Sequence, residues 1–196
     1  MNTETNLPVI YLASKSPRRR ALLEQLGVQY QLLQVDVPEQ QAAGETALAY
    51  VERVAADKAR AAAEQARDRP ILAADTEVIL NDQILGKPAD HTAAIQMLQS
   101  LSGREHQVIS AVALLTTTDQ LHTAVNQSKV HFKTLSKAEC AAYCQTDEPW
   151  DKAGGYAIQG RAAAFISHIE GSYSGIMGLP LYETAQLLAK AVVVDV

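Results

Sequence analysis

The sequence predicts an α/β fold built on one mixed sheet, because segments with strand character and segments with helix character alternate along the 196-residue chain. Short apolar runs such as residues 71–74 are typical of buried strands. Apolar positions at helical spacing, such as Ala47, Val51 and Val54, are typical of amphipathic helices, and the same spacing places Lys58 on the apolar face. No repeat, low-complexity tract or long linker divides the chain, so we expect residues 1–196 to form a single domain.

Local patterns in the N-terminal half predict a strand, two helices and a hairpin. Ser16 followed by Pro17 is typical of a helix start, and Gly27 of a helix stop. Asn81 and Asp82 are typical of a tight hairpin turn. The predicted elements are a strand at 9–13, a helix from Pro17 to Leu26, a helix from Thr46 to about Arg67, extended runs at 71–74 and 77–80, and a return strand that ends near 86–88.

The C-terminal half predicts further strands and helices in mixed order. Ser136 with Glu139 forms a capping box at the start of a helix, and Pro180 opens another. The predicted elements are a helix from about Asp90 to Leu101, two paired strands at 107–117 and 121–134, the helix after Ser136, a short strand at 163–169 and a final helix from Pro180 to about Ala191.

The composition limits which binding partners and which cellular compartment we expect for this chain. A formal net charge of -5 argues against nucleic-acid binding by overall attraction, which needs a basic face. The first eight residues lack a basic stretch followed by an apolar one, and no run of about 18 apolar residues occurs. Cys140 and Cys144 are spaced to share one helix face and are interpreted as small buried side chains. We therefore expect a cytoplasmic protein that contacts neither a membrane nor nucleic acid.

The segment 14–20 places four cations and two hydroxyls at the start of a predicted helix. Each cation in a first helical turn is disfavoured by about 0.3 to 1 kcal/mol, because it opposes the helix dipole. Serine hydroxyls, guanidinium groups and free backbone N–H groups all donate hydrogen bonds to phosphate oxygens. Ser14, Ser16, Arg18 and Arg19 therefore suit a triphosphate site, and a solvated basic turn is the alternative interpretation.

A second group of polar residues accompanies the predicted hairpin. Asp75 and Thr76 lie between the apolar runs 71–74 and 77–80. The Asp75 carboxylate is interpreted as emerging into a cleft, where it binds a metal or acts as a base. The alternative is an aspartate that caps a turn. The five histidines have no ligand spacing, so any metal is expected to have oxygen ligands. Gln159 follows a glycine-rich stretch and offers a donor and an acceptor to a base edge, unless that stretch is a plain turn.

Six short motifs resemble the Maf family of nucleotide pyrophosphatases, in the family's order and nearly from Ile10 to Leu188. They are residues 12–19 (LASKSPRR), 74–76 (ADT), 86–88 (GKP), 101–103 (LSG), 151–154 (DKAG) and 178–180 (GLP). Residues 17–19, 75–76 and 158–160 together resemble the family's dTTP/UTP branch. The branch that acts on 7-methyl-GTP carries a tryptophan before the paired arginines, where this sequence has Pro17.

The resemblance implies an elongated α/β fold of the Maf/inosine-triphosphatase type, with two lobes around a central cleft and often a homodimer. It implies hydrolysis of dTTP and UTP to monophosphate and pyrophosphate with a divalent cation, Mg²⁺ or Mn²⁺. Asp75 matches the family's catalytic acid, and Glu39 matches an acid near the metal. The phosphate-handling cations match Arg18, Arg19, Lys58 and Lys87, and the positions associated with substrate choice match Arg18, Thr76 and Gln159.

Two positions depart from the family pattern. Glu77 stands where an apolar residue commonly follows Asp-Thr, and Pro38 precedes Glu39 where an acid is common. Glu77 is interpreted either as a solvent-facing edge residue or as an extra carboxylate near the metal. Two alternative functions follow: the same chemistry on a purine or modified nucleotide, or a nucleotide-responsive regulator of cell division, because the family is also linked to septum formation.

Overall fold

A computed structural model describes residues 10–190, in which seven strands form one mixed sheet accompanied by six α-helices. The strands are β1 (Ile10–Ala13), β2 (Tyr30–Leu33), β3 (Ile71–Leu80), β4 (Gln83–Leu85), β5 (Glu105–Leu115), β6 (Leu121–Phe132) and β7 (Ile166–Glu170). The helices are α1 (Pro17–Gln25), α2 (Ala47–Ala63), α3 (His91–Leu101), α4 (Lys137–Cys144), α5 (Tyr173–Met177) and α6 (Leu181–Lys190). The predicted α/β class with a mixed sheet is confirmed. Val9 and Ala191, the outer limits of two predicted elements, lie outside the described residues.

The order of the strands leaves a gap in the sheet beside β3. The order is β2-β1-β3-β5-β6-β7, and β4 pairs separately with β3. β1 runs parallel to residues 71–73 of β3, and β4 runs antiparallel to residues 78–80 on the same strand. Within residues 10–190, residues 74–77 therefore pair with β5 alone. The chain leaves β1 at Ser14, next to this open stretch.

Alternate side chains of β3 and β5 pack into different parts of the core, since successive side chains point to opposite faces of a sheet. On one face, residues such as Ile79 pack with α2. On the other face, Leu72 packs with α1 and α6, while Val78 packs with α3 and α4. Between these two clusters the second face carries Thr76 and Ser110, whose hydroxyl oxygens are 2.8 Å apart. This polar break separates the two apolar clusters on the second face.

Local side-chain chemistry sets the helix starts as the sequence predicts. The hydroxyl of Thr46 accepts a hydrogen bond from the Ala49 N–H, and Asp90 caps α3 in the same way. Ser136 and Glu139 form the predicted capping box at α4. Ser16 is the N-cap of α1, although its side chain makes no capping hydrogen bond. Its hydroxyl is consequently not committed to the helix backbone.

Two predicted boundaries in the first half of the chain were wrong. The second helix ends at Ala63 rather than near Arg67, and Nε of Arg67 donates a hydrogen bond to the Ala63 carbonyl at 2.9 Å. The Arg67 side chain thus satisfies a carbonyl that the last turn of α2 leaves free, and the helix does not continue to Arg67. The runs 71–74 and 77–80 form a single strand, because β5 pairs with it continuously from Ile71 to Ile79.

The predicted strand at 163–169 was also wrong at its start, since β7 begins at Ile166. Arg161–Phe165 forms a 3₁₀ turn, which places Ala162 and Phe165 on one side, and both are buried. Phe165 stacks edge to face with Tyr143, so burial of the ring outweighs the strand propensity of the segment. Two short elements, β2 and α5, were not predicted; β2 is a partly exposed edge strand without a clear apolar pattern.

The helices bear on two features considered in the sequence: the paired cysteines and the length of apolar segments. Cys140 and Cys144 are buried free thiols on α4, as interpreted from their spacing. Across residues 10–190, no helix has the length and apolar character to cross a bilayer.

A buried histidine predicts how stability depends on pH. His106 is 2% exposed, its Nε2 lies 2.8 Å from the Tyr156 hydroxyl, and burial lowers its pKa to about 4. The unfolded chain protonates the same imidazole at about pH 6.5. The stability contributed by neutral His106 is thus complete above pH 6.5 and is lost as the pH falls to 4. We expect the free energy of unfolding to drop by up to about 3 kcal/mol over this interval.

Urea unfolding between pH 4 and 8 measures this dependence. His106→Gln should flatten the acid side of the profile, whereas His168→Gln, at an exposed position on β7, should leave the wild-type slope unchanged. A His106→Gln protein with the full wild-type slope would assign the acid sensitivity to other groups.

Candidate active site

A cleft of about 550 Å³ lies at the gap beside residues 74–77. Its walls come from the start of α1, the loop after β2, α2, the middle of β3 and the segment that follows α4. All ten side chains predicted as site residues line this cleft, namely Ser14, Ser16, Arg18, Arg19, Glu39, Lys58, Asp75, Thr76, Lys87 and Gln159. The fold therefore brings together residues that are separated by up to 145 positions in sequence (159 minus 14).

The start of α1 forms a basic wall of the cleft. Nη1 of Arg18 donates a hydrogen bond to Oδ2 of Asp151 at 2.9 Å. Nε of Arg19 donates to the Gly178 carbonyl at 2.7 Å, and its Nη2 donates to the Thr76 hydroxyl at 3.3 Å. Burial lowers the pKa of Arg19 from its ordinary value, while the charge of Asp75 opposes that change. Both arginines are thus held in fixed orientations toward the cleft.

Hydroxyl and backbone groups extend this wall. Ser14 is buried, and its Oγ accepts a hydrogen bond from the Ser16 N–H at 3.1 Å. The first turn of α1 contains no acidic residue that would neutralise its dipole. The helix start therefore offers backbone donors, a free serine hydroxyl and two arginines to an anion. This arrangement favours the phosphate interpretation over a solvated basic turn.

On the other side of the cleft, a lysine lies between two carboxylates. The apolar face of α2 directs Lys58 toward β3, where its Nζ lies 2.7 Å from Oδ1 of Asp75 and 2.6 Å from Oε1 of Glu39. Lys87 Nζ is 3.5 Å from Oε2 of Glu39. Burial by itself raises the pKa of Glu39, but hydrogen bonds and charge from Lys58 and Lys87 lower it overall. These contacts favour the ionised form of Glu39.

Glu77 adds a third carboxylate to this group. The alternation of β3 places Glu77 on the same face as Asp75, and its side chain lines the cleft. Burial raises the pKa of Glu77 to about 8, and the charges of Asp75 and Glu39 add to this rise. The structure therefore places Glu77 inside the cleft near the predicted metal ligands, instead of at a solvent-facing edge.

Several features of these acids test whether the site suits a divalent cation. Oδ2 of Asp75 and Oε2 of Glu77 are buried and have no hydrogen-bond partner among residues 10–190. In the same part of the chain, no three His, Cys, Asp or Glu side chains are arranged around one metal position. Magnesium is commonly held by only one or two carboxylates together with substrate phosphates. The oxygen donors of Asp75 and a second acid therefore fit a hard cation that is shared with a phosphate ligand.

The segment after α4 forms the remaining wall and includes residues that sequence reasoning did not single out. Gln159 is exposed within the cleft, beside buried Ile158. Asp151 and Lys152 contact each other, and Asp151 also binds Arg18 as described above. Both belong to the DKAG motif at residues 151–154, and this motif is the sequence signal that could have identified them as site residues. Trp150, which also lines the cleft, is the one tryptophan of the sequence and directly precedes this motif.

The fold and the cleft define an α/β protein whose site suits a phosphate-bearing ligand, with arginines on one wall and a buried acid on the other. Residues 9–191 match the family described as Maf-like protein. The chain belongs to this family.

Curated relatives cover nearly the whole chain. A protein of Ralstonia nicotianae is 52% identical, with 95% of each chain covered. A relative from Xanthomonas euvesicatoria pv. vesicatoria is 53% identical, and the match covers 92% of this chain and 97% of the relative. A relative from Bordetella pertussis is 51% identical, and the match covers 94% of this chain and 93% of the relative. All three are named dTTP/UTP pyrophosphatase. Among solved structures, a nucleoside-triphosphatase (dITP/XTP pyrophosphatase) of Mycobacterium abscessus is 19% identical, covers 94% of both chains and has a TM-score of 0.47.

Proposed function

We propose that the chain hydrolyses dTTP and UTP to the nucleoside monophosphate and pyrophosphate. The observation that carries this proposal is the single cleft that holds Arg18 and Arg19 on one wall and buried Asp75 on the other. The names of the relatives supply the substrates, because they are more than half identical to the chain over almost its full length. In this proposal, the phosphates of the nucleotide lie along the start of α1 and its base lies near Gln159.

The reaction breaks the bond between the α-phosphorus and the oxygen that bridges it to the β-phosphorus. A water oxygen forms the new bond to the α-phosphorus, and its proton passes to Asp75. Oδ1 of Asp75 is held by Lys58, whereas the buried Oδ2 makes no hydrogen bond among residues 10–190, and we assign the proton to this oxygen. The departing pyrophosphate carries the bridging electron pair, and its charge is stabilised by Arg18, Arg19 and Lys87.

A divalent cation, Mg²⁺ or Mn²⁺, would be held by Asp75 and Glu39, with Glu77 as a further oxygen donor. When bound, it withdraws electron density from the phosphate oxygens and offsets their charge. Lys58 lies between Glu39 and Asp75, so its ammonium group bridges the two carboxylates and fixes their positions at the cleft. Thr76, fixed by Ser110 and Arg19, contributes to the wall on the opposite face of β3.

Pyrophosphate release from a panel of nucleoside triphosphates tests this function. We expect rapid release from dTTP and UTP with Mg²⁺ or Mn²⁺ and none after chelation with EDTA. Preferential release from a purine or modified nucleotide would redirect the proposal to another substrate of the same chemistry. A wild-type protein that binds nucleotides without cleaving them would contradict the enzyme and support the regulator of cell division.

Gln159→Ala is expected to reduce the preference for UTP over CTP by about tenfold in kcat/KM. Uracil and cytosine differ in an acceptor and a donor at the same ring position, which a side-chain amide distinguishes by one hydrogen bond. Steady-state kinetics with both nucleotides measures the ratio. Gln127→Ala, at an exposed position of β6 away from the cleft, should keep the wild-type ratio. An unchanged ratio in Gln159→Ala would place base recognition elsewhere.

A further inference from the structure

Glu148 lies outside the cleft lining and contacts the backbone of the segment that carries Gln159. Its Oε1 and Oε2 accept hydrogen bonds from the Arg161 N–H at 2.9 and 3.0 Å. The Tyr143 hydroxyl donates to Oε2 at 2.9 Å. The same hydroxyl accepts a hydrogen bond from the Ala157 N–H at 3.0 Å. One carboxylate, with one tyrosine, thus holds both ends of residues 157–161.

The carboxylate also lies directly against this segment. A Cβ atom added to Gly160 would come within 2.3 Å of Oε2 of Glu148, far inside contact distance. The Gly160 N–H donates to the Ala157 carbonyl at 3.0 Å, which closes the segment into a tight turn. Gln159 lies at the exposed tip of this turn, and Ile158 beside it is buried. The direction of the Gln159 side chain therefore depends on the backbone that Glu148 and Tyr143 hold.

The charge of Glu148 has an unusual set of partners. Within residues 10–190, no charged side-chain nitrogen of a lysine, arginine or histidine pairs with its carboxylate, so the Arg161 backbone N–H and the Tyr143 O–H satisfy it. Hydrogen bonds to an ionised acceptor are about twice as strong as neutral ones. A carboxylate in this position therefore fixes the turn more firmly than a neutral side chain would.

The same residue connects the base side of the cleft to the phosphate side. Its backbone carbonyl accepts a hydrogen bond from Nζ of Lys152 at 2.7 Å. Lys152 also contacts the carboxylate of Asp151, whose Oδ2 binds Arg18 at 2.9 Å. Loss of the Glu148 side chain leaves this backbone contact in place, so the effect of its truncation should be confined to the turn at 157–161.

We propose that Glu148 is a positioning residue that sets the base preference through Gln159, with Tyr143 as its partner. This inference rests on the proposed function, because it assumes that Gln159 contacts the base of a bound nucleotide. It predicts that Glu148→Ala changes the same quantity as Gln159→Ala and acts through the same side chain.

The test compares kcat/KM for UTP and CTP in Glu148→Ala and in the wild type. We expect the UTP-to-CTP ratio to fall about tenfold, chiefly through a higher KM for UTP. In a Gln159→Ala background, Glu148→Ala should produce no further change in the ratio, since residues that act as a unit are not additive. Tyr143→Phe keeps the ring but removes the hydroxyl, and we expect about a threefold fall in the ratio; this variant decides the question if Glu148→Ala does not fold.

Glu139→Ala is the matched control. Glu139, at the start of α4, is also an acid that accepts a hydrogen bond from a backbone N–H. It does not line the cleft or contact residues 157–161. It should lower stability without moving the ratio. A folded Glu148→Ala protein with the wild-type ratio, or an equal further loss in the Gln159→Ala background, would overturn the inference.

Failure of the proposed function is distinguishable from failure of this inference. A wild type that cleaves neither UTP nor CTP removes the proposed function. The positioning role is then decided by calorimetric titration with the α,β-imido analogues of both nucleotides. A lower ratio of their affinities in Glu148→Ala supports the role, and equal ratios in variant and wild type overturn it.

Discussion

Asp75→Asn is expected to lower kcat by about 10²- to 10⁴-fold while changing nucleotide affinity only a few-fold. Asparagine has the shape of aspartate and keeps an oxygen for the Lys58 ammonium, which lies 2.7 Å from Oδ1 in the wild type. It cannot accept the proton of the attacking water. Pyrophosphate release measures kcat, and equilibrium titration with a non-hydrolysable analogue of UTP measures affinity.

Asp36→Asn serves as the control for this variant. Asp36 also lines the cleft, but its side chain is exposed and pairs only loosely with Lys15 at 3.6 Å. We expect its kcat to stay within about twofold of the wild type, because a solvent-screened pair contributes little. Near-normal turnover in Asp75→Asn would remove Asp75 from the role of base, whatever the behaviour of the control.

Lys58→Met is expected to lower the free energy of unfolding by about 3 kcal/mol and to reduce kcat by about 100-fold. The side chains of Lys58 and Asp75 are only 13% and 7% exposed, so loss of the ammonium leaves the Asp75 charge buried without a partner. The Glu39 carboxylate loses its contact at the same time. Urea unfolding measures the loss of stability.

Two further variants separate this effect from general damage. Lys87→Met removes a lysine whose side chain is 58% exposed and 3.5 Å from Glu39, so its cost in stability should stay below about 1 kcal/mol. The double variant Lys58→Met/Asp75→Asn should regain most of the lost stability without regaining activity, because the unpaired buried charge is gone. If the double variant is less stable than Lys58→Met alone, the loss does not come from the Asp75 charge.

Some parts of the structure follow from short stretches of sequence. The starts of α2, α3 and α4 depend on caps that lie within three residues of the groups they satisfy, so local patterns were sufficient. Helical spacing also placed Lys58 on the apolar face of α2, where the structure has it. The order of the six motifs indicated the family that the match over residues 9–191 shows.

Other boundaries depended on partners far away in the chain. Asp75 and Thr76 interrupt an apolar pattern, yet they continue β3 because β5 pairs with them across the sheet. The 3₁₀ turn before β7 forms because Phe165 is buried against Tyr143, more than 20 positions earlier (165 minus 143). Neither partner is visible in a local window of sequence.

The sequence by itself thus determined the fold class, the starts of five of the six described helices and ten of the residues that line the cleft. The tertiary structure decided how these residues combine. The partial pairing of β1 and β4 with β3 opens the gap where the cleft lies, and only strand order determines that gap. Likewise, Lys58 lies between Glu39 and Asp75, and Glu77 turns inward, because packing of α2 on the sheet brings distant charges into one poorly solvated space.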